Sequence, residues 1–397
     1  MTEARLISPQ TSEFRRIRSA LFAAGFTTFC LLYYIQSLLP VFTNEFGVGA
    51  AQSSLALSVT TGVMAFALLV SGALSDAVGR KQIMFASLFS SSALTVAMAF
   101  APSWTTIIAI RMAMGISLCG VQSVAMAYLS EELESKAFAR SLGLFIGGSA
   151  LGGMFGRMLA SLITDYLGWR TAVVIIGVAG LGAAAYFQIS LPTSRNFTPR
   201  GRGLRHLVKE TRGILANPAL LKLFFVGFAI MSGFVTIFNY ITYRLVAAPY
   251  NLTQSAVGMV FVIYIVGSFG AAFAGRMVAI AGHKHTLWIF QTIMVAGILI
   301  TLSTSFPIIL IGLAVLTFGM FSSHSVASGW VSQKAQSSRA LAASLYLFAY
   351  YQGGSLVGAL GGIGFQSGGW SWVVGLTGAI GLLGIFSALS VGQTQRR

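Results

Sequence analysis

Two arginines, Arg111 and Arg157, and one histidine, His324, stand inside long runs of apolar residues. A guanidinium held away from water is a permanent cation whose planar fork suits bidentate binding of an anion. An imidazole has an unperturbed pKa of about 6.5 and exchanges a proton near neutral pH. The nine acids, Glu3, Glu13, Glu45, Asp76, Glu131, Glu132, Glu134, Asp165 and Glu210, all fall at or beyond the ends of the apolar runs. The interior therefore offers two cations and a weak base but no carboxylate, which points to neutral or anionic ligands. Around these groups Tyr33, Tyr34, Gln36, Gln122, Asn239, Tyr240, Tyr243, Tyr264, Tyr350, Tyr351 and Gln352 join apolar faces to hydrogen-bonding tips, the mixture that lines small-molecule cavities.

Enzymatic chemistry is not spelled out. The chain has no H-x-x-x-H or H-E-x-x-H spacing, no phosphate loop followed by Lys-Ser or Lys-Thr, and no Gly-x-Ser-x-Gly elbow, so no metal or cofactor motif and no activated nucleophile is evident. Work done on a ligand cannot draw on ATP hydrolysis by this chain. Cys30 and Cys119 lie in separate apolar stretches and read as small hydrophobes.

The elements that must position these residues follow from composition. Of 397 residues 56% are hydrophobic and 9% charged, against about 25% charged in a soluble domain. A soluble protein is excluded, and so is disorder, which needs high charge and low hydrophobicity. The expected fold is an all-α polytopic membrane protein with twelve spans, at residues 18–42, 53–75, 82–101, 105–128, 141–164, 170–191, 219–246, 255–277, 286–304, 307–330, 340–364 and 370–391. Each takes about 20 apolar residues, and the 45 glycines suit close helix packing in lipid.

The net charge of +16 would suggest nucleic acid in a soluble chain, but its placement reads as topology. When loops are numbered alternately, one side collects Arg15, Arg16, Arg18, Arg80, Lys81, Lys136, Arg140, the basic stretch from Arg195 to Arg212, Arg276, Lys284, Lys334, Arg339 and Arg396. The other holds Arg170 and, at a span end, Arg244. The positive-inside rule then places both termini in the cytoplasm, with a secondary role for the cations in holding anionic lipid headgroups. No nucleic-acid partner is implied. The first apolar run extends to Pro40 without a small-residue cleavage site, too long for a signal peptide, and reads as a retained helix.

One composition break divides the chain. The polar, basic stretch 192–218 separates an N-terminal six-helix bundle, 18–191, from a C-terminal one, 219–391, with cytoplasmic tails at 1–17 and 392–397. Internal matches support duplication: Gly72, Gly79 and Lys81 with Gly275, Gly282 and Lys284; Ser123-Val124-Ala125 with Ser325-Val326-Ala327; Gly168-Trp169 with Gly369-Trp370. Two parallel six-helix halves are the arrangement of a secondary transporter rocking about a central site.

Gly72-Ala73-Leu74-Ser75-Asp76-Ala77-Val78-Gly79-Arg80-Lys81 resembles the G-x-L-x-D-x-x-G-R-K signature of the major facilitator superfamily, in the loop between the second and third spans. The resemblance implies a conformational latch built from Gly72, Asp76, Gly79, Arg80 and Lys81. Asp76 would face the start of the eleventh span near Leu341–Ser344, and Arg80 would pair with Glu131 or Glu132. The equivalent second-half loop has Ala279 in place of the acid, so only the first half can form it. Arg111-Met112-Ala113-Met114-Gly115 is similar to the R-x-x-x-G pattern of superfamily exporters. Gly148 to Arg157 resembles the G-x-x-x-G-P-x-x-G-G stretch of the drug:proton antiporter branch, with Gly153 replacing the proline and Arg157 the last glycine. The chain as a whole is similar to bacterial inner-membrane transporters of the arabinose-efflux-permease-like branch.

The expected function is proton-coupled efflux of small molecules, sugar-like, amphipathic or anionic, by alternating access, and the likeness implies a functional monomer; the titratable candidates for coupling are His324, the imidazole within a span, and Asp76, the motif acid. An uptake carrier or facilitator of the same fold, and a membrane sensor or scaffold without net transport, are the alternative readings.

Overall fold

In hydrocarbon a backbone must satisfy its own hydrogen bonds, so apolar runs of this length fold as helices. The computed structural model describes residues 6–196, 204–335 and 339–392, leaving aside the side chains of residues 72–74, 76, 77 and 204–207. In chain order the helices are α1 (Ser12–Tyr33), a 3-10 segment (Tyr34–Leu38), α2 (Leu39–Phe46), α3 (Ala50–Val78), α4 (Arg80–Met98), α5 (Trp104–Glu132), α6 (Ser135–Leu167) and α7 (Trp169–Ser190). There follow α8 (Leu204–Leu215), α9 (Pro218–Val246), α10 (Gln254–Val260), α11 (Tyr264–Ile300), α12 (Phe306–Lys334) and α13 (Arg339–Ser390). The only extended pairing among the described residues is a single bridge between Ile7 and Leu133.

Nine segments among the described residues are long and apolar enough to cross a membrane. Two of them are broken, at Gly282 with φ 74° in α11 and at Gly369 with φ 63° in α13, and each therefore supplies two spans. The 19-residue α4 supplies the remaining one, so the all-helical fold with twelve spans is recovered. In the first half Gly79 and Gly168, with φ 110° and 81°, make the equivalent turns. Positive φ at these positions is the physical reason for glycine, and it recurs in both copies of the repeat.

The chain divides into two compact units, one of Met1–Leu38 with Phe66–Arg202, the other of Leu39–Ala65 with Gly203–Arg397. In the first unit α1 and α6 cross backbone to backbone. A Cβ on Gly148 would lie 2.7 Å from the Phe22 carbonyl oxygen, one on Gly152 would overlap the Phe26 backbone, and one on Gly156 would come within 2.9 Å of Cys30 Cα. This is the small-residue seam that lets helices approach closely in lipid. The second unit repeats it between α9 and α13, where a Cβ on Gly353 would overlap the Phe228 backbone.

Two features go beyond hydropathy. The first span is interrupted at Tyr34–Leu38 by 3-10 turns, two residues ahead of Pro40, which lacks the N–H that would continue the α ladder. The basic connector contains the 12-residue helix α8.

Candidate functional site

The signature loop is pinned by Arg80. Its Nε donates to Glu131 Oε2 at 3.1 Å, its Nη2 to Oε1 at 2.8 Å and its Nη1 to Ser75 Oγ at 2.5 Å, a bidentate pair held at the end of α5. Gly79 turns the chain immediately before Arg80, the first residue of α4, and Lys81 follows in its first turn. The Asp76 side chain lies outside the described residues, as do the surroundings of Gly72.

Of the two acids expected beside Arg80, only Glu131 is described there. Glu132 is buried and gathers the start of the connector: its Oε1 accepts from Ser194 Oγ at 2.6 Å, Arg195 N at 2.8 Å and Asn196 N at 3.0 Å. The Glu132 carbonyl accepts from Ile7 N at 2.9 Å, so the same residue also ties down the N-terminal segment. Glu132→Ala is accordingly expected to expose the peptide bond after Arg195 to trypsin several-fold faster than in the parent, while Glu131→Ala leaves that bond protected. The cleavage rate of membrane-inserted protein measures it. Equal rates in the two variants would remove Glu132 as the anchor.

Both interior arginines of the first unit converge on the interrupted stretch of the first span. Arg111 is fully buried. Its Nη1 and Nη2 donate to the Leu31 and Leu32 carbonyls at 3.3 and 3.0 Å, oxygens at the end of α1 where i+4 pairing gives way to 3-10 turns, and its guanidinium sits 5.8 Å from the Tyr34 ring. Arg157, also buried, donates from Nε to Gln36 Oε1 at 2.7 Å and from Nη1 to the Gly153 carbonyl, and lies 4.4 Å from the centre of the Tyr33 ring. Ser37 Oγ donates to the Arg157 carbonyl at 3.1 Å. Arg111 with Tyr34, and Arg157 with Tyr33 and Gln36, thus form two cationic groups on consecutive residues of one span. Gln122 is half-buried on α5.

The second unit holds two groups. His324 Nδ1 is 3.0 Å from Tyr346 Oη, its ring lies 4.5 Å from that of Tyr350, and Tyr350 meets Tyr351 edge-on at 5.3 Å. Tyr346 was not among the residues the sequence singled out. Its i, i+4 spacing from Tyr350 on α13 is the signal that places it on the same face.

The other group clasps residues 39–65. Tyr243 Oη donates to the Leu39 carbonyl at 2.9 Å and is 2.8 Å from Thr43 Oγ1; Ser355 Oγ donates to the Ser58 carbonyl at 2.6 Å, and Gln352 Nε2 to that of Gly62 at 3.4 Å. Tyr240 Oη donates to the Gly358 carbonyl at 2.6 Å, and a Cβ on Gly358 would lie 3.4 Å from Asn239 Nδ2. Ser58, Thr43 and Ser355 carry no marker in the sequence, since small hydroxyl residues are common in such helices. Tyr264 is placed differently, enclosed by Phe234, Phe238 and Phe261 at ring separations of 5.0–5.8 Å.

The sequence profile of the Major Facilitator Superfamily matches residues 21–245. The MFS-type transporter YybF of Bacillus subtilis is 43% identical over 366 residues, covering 92% of this chain and 91% of that protein. The inner membrane transport protein YnfM of Escherichia coli is 39% identical over 393 residues, 99% of this chain and 93% of YnfM. Among solved structures, a mutant of the nucleoside transporter NupG superposes with a TM-score of 0.76 at 13% identity, covering 95% of this chain and all of that one.

Proposed function

Because the chain belongs to the Major Facilitator Superfamily, we propose that it is a proton-coupled exporter of small molecules, sugar-like, amphipathic or anionic, working by alternating access. Membership itself makes it a membrane-embedded, multi-pass carrier and not an enzyme. The observation that carries the mechanism is the clasp on residues 39–65. It is made of hydroxyl and amide hydrogen bonds to carbonyls, contacts that form and break at little net cost, as a surface that must open in every cycle requires.

In this reading the halves 18–191 and 219–391 are the moving bodies, the termini lie in the cytoplasm of a bacterial cell, and the protein works as a monomer in the inner membrane. The side bearing residues 39–65 then faces away from the cytoplasm. The latch of Gly72, Asp76, Gly79, Arg80 and Lys81 with Glu131 governs the cytoplasmic side. Arg111 and Arg157 select neutral or anionic substrates, because no acid of this chain lies at mid-span to favour a cation.

The proton is assigned to His324, with Asp76 as the second titrating group. A group drives transport only if its proton affinity differs between the two access states, and His324 meets Tyr346 and Tyr350 on α13, a helix that also bears the clasp residue Ser355. His324→Gln keeps hydrogen bonding but cannot titrate. It is expected to preserve solute exchange and to abolish pH-driven accumulation. Proteoliposomes loaded with panels of sugars, carboxylates and amphipathic compounds, monitored for solute-dependent proton movement, test both the coupling and the substrate class. Persistence of pH-driven accumulation in His324→Gln would return His324 to a packing role.

A further inference from the structure

At the basic end of the first unit, a groove of about 400 Å³ is lined by Arg15, Arg18, Ser19, Phe22 and Leu144. No carboxylate among the described residues pairs with its two arginines, and the Arg18 guanidinium lies 5.5 Å from the centre of the Phe14 ring. The Arg18 Nε atom is buried with no hydrogen-bond partner among the described residues, and Arg15, exposed on the same face of α1, has no ion pair among them. Three acids of the same unit are engaged elsewhere: Glu13 pairs with Arg195 at 2.9 Å, Glu131 with Arg80 at 2.8 Å, and Glu132 holds Ser194–Asn196. Arg140 precedes Leu144 by four residues on α6 and so belongs to the same helix face, adding a third cation at the rim.

Below the cations the surface is apolar. Phe22 stacks on Phe26 at 6.3 Å, and Phe26 meets Phe155 at 6.2 Å, so aromatic rings continue from the groove along the α1–α6 seam. Leu151 and Phe155, 37% and 38% exposed, extend the same face of α6. Charge at one end and an open apolar track leading away match an anionic headgroup joined to a hydrocarbon chain.

We infer that this groove binds an anionic phospholipid, its phosphate held by Arg15 and Arg18 and an acyl chain lying along Phe22, Phe26 and Leu144. The site is independent of the transported solute and of the direction of transport. Each cation near a membrane surface strengthens anionic-lipid binding by about fivefold, so removing two is expected to weaken retention roughly thirtyfold.

The test uses the full chain, delipidated in detergent and titrated with phosphatidylglycerol or phosphatidylcholine, with bound lipid counted by native mass spectrometry. The expected result is one tightly retained phosphatidylglycerol, little phosphatidylcholine, a roughly thirtyfold loss in Arg15→Gln/Arg18→Gln, and retention in Arg15→Lys/Arg18→Lys. Millimolar inorganic phosphate is expected not to displace the lipid; displacement would mark a free-phosphate site and overturn the assignment. Equal retention of the two lipids, or wild-type retention in the glutamine variant, would overturn it as well. A second measurement leaves the arginines intact: the emission that Leu144→Trp adds to that of the six native tryptophans, taken as the difference from the parent in vesicles of equal parts phosphatidylglycerol and phosphatidylcholine, is expected to be quenched more by brominated phosphatidylglycerol than by brominated phosphatidylcholine. Equal quenching contradicts the site.

Discussion

Arg157→Met is expected to reduce transport by about a hundredfold or more while leaving most of the protein folded in the membrane. Two opposing terms decide the stability outcome. The substitution leaves the buried Gln36 Oε1 without the Nε donor now at 2.7 Å, at a cost of about 1–3 kcal/mol. It also removes the desolvation penalty of a buried cation, which offsets much of that loss. In the proposed substrate-binding role of Arg157, transport has no such compensation. A charge-assisted hydrogen bond contributes about 1.5–3 kcal/mol, so a bidentate contact to an anionic or polyhydroxyl substrate is worth a factor of about a hundred at the low end. Arg157→Lys separates the two roles, because it keeps the charge but gives up the planar fork and its stacking on Tyr33. Its KM is expected to rise about tenfold or more with the protein level unchanged. An unaltered KM in the lysine variant would confine Arg157 to bracing the 3-10 stretch of the first span.

The spans were legible because their signal is length and apolarity, which tertiary context rarely overrides in lipid. The breaks at Gly282 and Gly369 were legible as well, since each echoes a first-half glycine at an equivalent turn. The 3-10 stretch at Tyr34–Leu38 was not, because hydropathy is blind to a change of helical pitch; Pro40 was its one marker. Helix α8 was hidden by the polar composition of the connector. Between Glu131 and Glu132 the sequence offers no choice, as adjacent residues of one type differ only in the direction each side chain points from the end of α5. Among the candidate cavity residues, type alone did not separate Tyr264, enclosed by phenylalanines, from Tyr243, which reaches the Leu39 carbonyl. Nor could composition show that residues 39–65 group with the second unit. That grouping is one of long-range proximity, including the close approach of Gly362 to the Ala51 backbone and the hydroxyl-to-carbonyl hydrogen bonds, which no local pattern encodes.

The second large effect is expected where residues 39–65 meet α13. In the proposed alternating-access cycle the halves 18–191 and 219–391 part at this contact, and a covalent bond across it is expected to stop transport altogether. The geometry allows such a bond: a Cβ built on Gly62 would lie 3.5 Å from Ser355 Cβ, within the spacing that a disulfide spans. Cys30 and Cys119 are buried in the first unit and are replaced by alanine so that only the introduced pair can react. The decisive measurement is solute-dependent proton flux in proteoliposomes carrying Gly62→Cys/Ser355→Cys, before and after oxidation, with loss of free thiols confirming closure and a reductant applied last. Each single-cysteine variant serves as its control. Flux is expected to disappear on oxidation of the pair, to persist in the single variants and to return on reduction; undiminished flux through fully cross-linked protein would rule out alternating access at this contact.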